Sequence, residues 1–231
     1  MKIGIIILCR YSSSRLPGKI LKKINGKTIL ERIVERLEKV SKAHQVIVAT
    51  SDEQSDDAIE IFCHDNDIPV FRGDLDNVAK RFLDCALHHE LDYAIRINGD
   101  NIFADPVIID QMIEILDDRS YDLVTNVPER TFPIGMSVEI LKTSFYQQIL
   151  KKFTTKDYLE HVTLYLYDHP TAGDFFYFYN KTCPQAKGLK LAVDDAFDLE
   201  NISRIISELE KSKSFYSLTE IYDAINKLNN E

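Results

Sequence analysis

The chain has 231 residues, of which 45% are hydrophobic and 28% charged, and its formal net charge is −9. That length buries roughly 70–75% of the unfolded surface, enough for one substantial core, while the acidic balance argues against general binding to nucleic acid. No run approaches the ~18 apolar residues of a membrane-spanning helix, and Met1–Leu8 has neither the longer apolar core nor the small-residue cleavage site of a signal peptide. These exclusions point to a cytoplasmic protein. Cys9, Cys63, Cys85 and Cys183 show no C-x-x-C spacing and read as reduced thiols.

Ile3–Leu8 reads as a buried parallel strand. The stretch Arg10–Leu21 (R-Y-S-S-S-R-L-P-G-K-I-L) follows it. Thr28 and Glu31 form a predicted capping box for a helix with Ile29, Leu30, Ile33, Val34 and Leu37 on one face. A strand at Gln45–Thr50, a helix over 56–64, a short strand at 69–71 and a helix from Val78 to Leu87 come next. Asp92–Asn98 is a strand that ends sharply at Gly99-Asp100, and Asp105-Pro106 opens another helix. With the strand at 122–127, this is a repeated β-α pattern and predicts a mainly parallel sheet with helices on both faces. After Val127 the pattern changes. Phe132–Leu141 alternates as a strand with Ser137 and Glu139 on its polar side. Helices are predicted at 143–151 and 157–167, an aromatic strand at 174–180, a buried strand at 189–193 ended by Asp194-Asp195, and two closing amphipathic helices. We read one α/β domain over 1–231, with an inserted, partly antiparallel region at about 128–185.

The chemistry starts at the first loop. Residues 1–42 hold eleven Lys or Arg and three Glu, a balance of +8, so the remainder carries −17. Arg32, Arg36 and Lys39 alternate with Glu31, Glu35 and Glu38, and are expected to pair with them along the helix. Arg10, Arg15, Lys19, Lys22, Lys23 and Lys27 remain as the local excess. Serine hydroxyls, backbone N–H groups and a close-approach glycine beside these cations suit a loop that wraps a small polyanion. Asp100 and Asp194 each end a predicted strand and face the same crevice. Two carboxylates beside a phosphate loop form a plausible Mg²⁺ site; the competing reading is turn or cap residues, and Asp195 and Asp198 are alternative caps.

The quoted loop resembles the A-R-x-x-S-x-R-L-P-G-K-x-L pattern of the cytidylyltransferases that make CMP-activated sugars, in particular the 3-deoxy-manno-octulosonate and spore-coat polysaccharide groups. V-I-V-A-T-S-D-E, F-R-G-D-x-x-N-V-x-x-R-F, R-I-N-G-D-N-I-F-A-D-P, E-H-V-T and L-A-V-D-D-A-F-D-L-E are similar to further segments of that family, in the same order. The resemblance implies a Rossmann-like (GT-A-like) nucleotidyltransferase fold, a mainly parallel sheet with a partly antiparallel dimerisation insert, and a homodimer. It implies CMP transfer from CTP to a sugar-like acceptor with release of pyrophosphate. Arg10, Ser14, Arg15 and Lys19 would hold the triphosphate, with Lys19, Arg15 and Asp100 acting in catalysis. Asp100 and Asp194 would bind Mg²⁺. Leu8, Thr50, Ser51, Asp52, Arg72, Arg81, Asn98 and Gly99 would lie at the nucleotide, and Glu139, Glu160 and His161 are nominated for the acceptor. Cys9, Asn98 and Ile102-Phe103 depart from the family pattern, which bears on the acceptor more than on the reaction. Another NTP, a non-sugar acceptor (an alcohol phosphate or phosphonate), or a metal-dependent glycosyltransferase are the alternatives.

Overall fold

The computed structural model describes residues 1–211 and 215–230. Its main sheet has seven strands. In chain order the strands of the molecule are β1 (Ile3–Leu8), β2 (Lys23–Ile24), β3 (Lys27–Thr28), β4 (Gln45–Ser51), β5 (Val70–Gly73), β6 (Tyr93–Asn98), β7 (Leu123–Thr125), β8 (Glu139–Lys142) and β9 (Phe175–Tyr177). The helices are α1 (Ile29–Leu37), α2 (Asp57–Asp65), α3 (Val78–His88), α4 (Pro106–Asp118), α5 (Thr143–Ile149), α6 (Lys156–Glu160), α7 (Leu164–Asp168), α8 (Ala196–Glu210) and α9 (Leu218–Asn229). The sheet order is β5-β4-β1-β6-β8-β7-β9, and β2 and β3 form a separate hairpin. Only β8 runs against its neighbours in the main sheet; every other pairing there is parallel. This is the mainly parallel α/β sheet that the sequence predicts.

Every residue of β1 is buried, because side chains alternate between two covered faces. Ile3, Ile5 and Ile7 join the core built with α1, α2, α4, α8 and α9. Ile6 and Leu8 join the core built with α3, α5 and α7. From β1 the chain moves outward to β4 and β5, then returns to β6 on the other side of β1. The connections leaving β1 and β6 therefore diverge, which opens a crevice at the carboxyl ends of these two strands.

The predicted caps are present. Thr28 and Glu31 form a reciprocal capping box on α1. Asp105 accepts from Val107 N at 2.9 Å, and its other oxygen accepts from Leu218 N at 3.2 Å, joining α4 to α9.

Four local expectations change. Strand 132–141 shrinks to β8, and Glu139, placed by alternation on a polar side, is 1% exposed. Alternation assigns a face, and both faces of this sheet are covered. The stretch 189–193 is extended but makes only one bridge, Lys190 with Ile134. It runs past the end of the sheet, where Gly135 takes φ +95° and brings the backbones close together. The helix expected over 157–167 breaks at His161–Thr163, where Val162 O accepts from Tyr146 OH at 2.7 Å and Thr163 turns inward. Arg32 and Arg36 are buried and leave their helix neighbours. Arg32 binds Glu210 at 2.7 Å and Ile24 O at 3.1 Å, and Arg36 binds Ala104 O at 2.9 Å and Tyr216 O at 3.1 Å. The region 128–185 places β8 and β9 in the main sheet itself.

A Cβ at Gly135 would lie 2.4 Å from Ala192 N and 2.6 Å from Leu191 C, at a positive φ. Gly135→Ala is expected to cost at least about 2 kcal/mol, from backbone strain and overpacking together. Chemical denaturation of the two proteins side by side checks this; equal midpoints would refute it.

Candidate active site

The loop after β1 is fixed by its own backbone and by one carboxylate. Tyr11 O accepts from Ser13 N at 3.0 Å and from Gly18 N at 2.9 Å. Gly18 sits at φ +66°, and a Cβ there would come within 2.8 Å of the Tyr11 ring. The chain then tightens into a 3-10 turn at Lys19–Leu21.

Asp56, fully buried, carries the rest. One of its oxygens accepts from Tyr11 N at 2.7 Å. The other accepts from Thr50 Oγ1 at 2.7 Å, Ser51 N at 2.9 Å and Ser51 Oγ at 2.6 Å. Burial pushes its pKa up, but these donors outweigh it and hold the carboxyl below its ordinary value. Asp56 was not foreseen as part of the site. Its signal was an aspartate a few residues past a T-S pair at a strand end.

Thr50 and Ser51 are therefore spent on Asp56 and do not reach the cavity. Arg72 is also outside it. Its Nε donates to Ser51 O at 2.9 Å, Nη2 to Glu53 O at 2.8 Å, and Nη1 to Asp57 and Glu60 at 2.7 and 2.6 Å. Asp52 is exposed, with its backbone N on Gly73 O. These four residues brace the loop's surroundings and do not line the cleft.

The crevice holds a cavity of about 370 Å³. From the loop and the end of β1 it is lined by Leu8, Cys9, Arg10, Ser13, Ser14, Arg15, Lys19 and Ile20. From β6 and its end come Arg96, Asn98, Gly99 and Asp100, from α3 Val78 and Arg81, and from the end of α6 Glu160 and His161. Gly99 N donates to Leu8 O at 2.9 Å, so the two strand ends are tied across the crevice. Arg10 lies 3.8 Å from Glu160. Burial, and then the charge effects of Cys63 and Asp56, push the Cys9 thiol far above the usual range, with Arg81 opposing.

Asp194 stands beside this cavity. It lies 3.0 Å from Arg15, 3.8 Å from Lys19 and 3.4 Å from Lys190. Capping of α8 falls to Asp195 and Asp198, which form a reciprocal box, so Asp194 is free of that role. Asp198 also accepts from Asp194 N at 2.9 Å and fixes its backbone. Lys19 Nζ donates to Val193 O at 2.8 Å, and Val193 N donates to Asp100 O at 3.3 Å. One lysine thus connects the loop to the segment that carries the second aspartate.

Asp100 has a buried Oδ1 with no partner. Burial raises its pKa, and Asp194 adds to the rise against the pull of Lys19. An orphaned buried carboxylate oxygen near a second carboxylate and a cationic loop fits a divalent cation shared with phosphate oxygens.

Two further residues matter. Arg96 lines the cavity and was missed, although it is the lone charge in an apolar strand and shares a face with Asn98. Glu139, nominated for the acceptor, lies behind the wall. It pairs with Arg96 and accepts from Thr163 Oγ1 at 2.6 Å and Tyr167 OH at 2.5 Å.

A cationic loop facing paired carboxylates at the switch point of a mainly parallel sheet is the layout of a nucleotidyltransferase. Similarity to known proteins narrows that class. A family model described as "Cytidylyltransferase" matches residues 4–224. The chain is 32% identical to an uncharacterized protein of Methanocaldococcus jannaschii, over 91% of this chain and 84% of that one. It is 30% identical to a spore coat polysaccharide biosynthesis protein of Bacillus subtilis, over 88% and 85%. A solved cytidylyltransferase from Leptospira borgpetersenii superposes with a TM-score of 0.93 at 30% identity, covering 100% of this chain and 96% of that one. The chain belongs to the cytidylyltransferase family, and it is a CTP-dependent nucleotidyltransferase. No helix among the described residues is long and apolar enough to cross a membrane.

Asp56→Ala strands the Tyr11, Thr50 and Ser51 donors and is expected to weaken CTP binding at least tenfold by loosening the loop, with a stability loss of about 2–3 kcal/mol. Calorimetric titration and denaturation measure both. The folded-state pKa of Asp56 is depressed, so its contribution is complete above the ordinary value of 3.8 and is lost as pH falls through the lower folded value. The stability gap between wild type and Asp56→Asn should therefore be constant near neutrality and shrink below about pH 4; a gap that widens on acidification would contradict this.

Proposed function

We propose that the enzyme transfers CMP from CTP to a hydroxyl of a sugar-like acceptor, in the making of an activated sugar for surface polysaccharide or glycoconjugate assembly. The observation that supports this most is the single cavity in which Arg10, Arg15 and Lys19 face Asp100, with Asp194 at its side. The similarity to a protein named for spore coat polysaccharide biosynthesis supports the sugar assignment.

In this reading the serine-rich loop and its cations hold the triphosphate. The acceptor oxygen attacks the α-phosphorus, the bond to the β-phosphate oxygen breaks, pyrophosphate leaves, and the acceptor's proton is released. The protein's work is in-line positioning and neutralisation of charge on the leaving group, which Lys19 and Arg15 are placed to do. Asp100 and Asp194 would hold Mg²⁺, which supplies charge neutralisation at the phosphates. Glu160 and His161 on the far wall are the acceptor-side groups nearest the loop.

We also propose a cytoplasmic homodimer. Edge strand β9 is half-buried and aromatic, and with α4 it borders a groove of about 550 Å³. Sedimentation should report twice the chain mass of 26.6 kDa; a monomer at micromolar concentration would refute it.

The function is tested with four NTPs, Mg²⁺ and a panel of sugars, sugar acids and alcohol phosphates, read for pyrophosphate and by mass spectrometry for a nucleotidyl adduct. A CMP–sugar adduct is expected. An adduct only with another NTP or only with a non-sugar would redirect the assignment, and sugar-nucleotide consumption without pyrophosphate release would replace it by glycosyl transfer. Lys19→Ala should lower turnover about 10²–10³-fold in a protein that still folds, with about 1–2 kcal/mol of stability lost with its bond to Val193 O. Near-normal turnover would remove Lys19 from the mechanism.

A further inference from the structure

Arg96 occupies an unusual electrostatic position. It pairs across the sheet with Ile6 on one side and with Glu139 on the other. This places it two residues, roughly 6–7 Å, short of the strand end that carries the loop. Its side chain is 15% exposed, and that of Glu139 is 1% exposed.

Glu139 is saturated. One oxygen takes Arg96 Nη1, and the other takes Thr163 and Tyr167. Tyr167 OH is itself 2.9 Å from Thr125 Oγ1, so the carboxylate is locked from three elements. Arg96 is not saturated. Its Nε is buried without a partner, and Nη1 is the only one of its nitrogens with a hydrogen bond among the described residues. A guanidinium carries five donors in a planar fork. Leaving most of them idle beside a cavity is costly unless something in the cavity accepts from them.

Arg10, Arg15 and Lys19 come from the loop itself, whereas Arg96 comes from β6. The turn Glu160–Thr163 links Arg96 to the acceptor wall. Glu160 meets Arg10, His161 lines the cavity, and Thr163 donates to Glu139.

We propose that Arg96 is the specificity-determining residue of the acceptor side, and that it binds an anionic group, a carboxylate or phosphate, on the acceptor. Glu139 is its positioning residue, holding the guanidinium at the cavity wall. This rests on the transfer reading above and narrows its acceptor class. The anion would take the donors of Nη2, which has no partner among the described residues and, unlike Nε, is not sealed off by burial. A planar fork matches two oxygens of one anion, which an ammonium cannot do.

The test uses the full chain loaded with a CTP analogue whose α,β-bridge is methylene. Three probes are titrated calorimetrically: 3-deoxy-manno-octulosonate as carboxylate, a hexose 6-phosphate, and the neutral hexose. One anionic probe is expected to bind at least tenfold more tightly than the neutral one, and which one does so tells carboxylate from phosphate. Arg96→Gln should erase that preference while changing affinity for the CTP analogue less than threefold, and Arg96→Lys should fall between. Glu139→Gln should weaken the anionic probe without abolishing it. If Arg96→Gln does not fold, Arg96→Ala titrated with and without guanidinium ion serves instead, with recovery of anion binding expected. Failure of both anionic probes to bind, equal binding of the neutral hexose, an unchanged preference in Arg96→Gln, absence of guanidinium rescue in the alanine variant, or an equal loss of CTP-analogue binding would each overturn the proposal. With CTP itself, CMP transfer to a neutral sugar that is untouched by Arg96→Gln keeps the transfer reading and sinks this one. Arg96-dependent anion binding with no CMP adduct does the reverse.

Discussion

The site depends on the Asp56 carboxylate. Four donors from two strand-end segments converge on it, and one of them is the backbone N–H of Tyr11. A loop rich in serine and charge has little apolar surface with which to hold a shape, so its conformation must come from hydrogen bonds. Asp56 supplies them from below, and the Tyr11 carbonyl supplies them from within. With the loop so fixed, its hydroxyls and cations are left for a ligand. The same economy explains Arg72, whose donors all go to the neighbouring segment and keep Asp56's own helix in place.

A second tie crosses the crevice. Lys19 reaches Val193 O, and Val193 N reaches Asp100 O. Two aspartates far apart in the chain are thus set relative to one another by a residue that also lines the cavity. The lysine thus ties the loop to the Asp194 segment while lining the cavity. The Asp195–Asp198 capping box completes the arrangement, because it satisfies the start of α8 and leaves the Asp194 side chain toward the cleft.

Most of the architecture was legible in the sequence. The β-α alternation through Val127 is a strong periodic signal, and the loop's position after the first strand placed it at the switch point. Lys19, Arg15 and Asp100 come together because strand ends bring residues to one edge whatever their separation, and Asp194 joins them through the bonds of Val193 to Lys19 and Asp100. Side-chain commitment was not legible. Thr50, Ser51 and Arg72 lie near the loop, but which acceptor they choose depends on Asp56, Asp57 and Glu60, and no periodicity reveals that. Glu139 fell to the same limit. Alternation gives its face correctly but cannot say that α7 covers it. Arg32 and Arg36 looked like a solvated helix face because their partners, Glu210, Ala104 and Tyr216, are remote in sequence.

The reversed strand β8 has a consequence for how the molecule assembles. β6 and β7 are consecutive in the main sheet's chain order, yet they are not paired; β8, made later, lies between them. During synthesis β6 therefore waits with an open edge until residues 139–142 arrive, and β7 cannot enter the sheet before them. Non-local pairings of this kind slow folding, and an unpaired parallel edge is a template for association with another chain. Arg96 stands on that waiting edge beside otherwise apolar neighbours. A charge there discourages a foreign strand from docking, until Glu139 arrives on the one strand built to accept it.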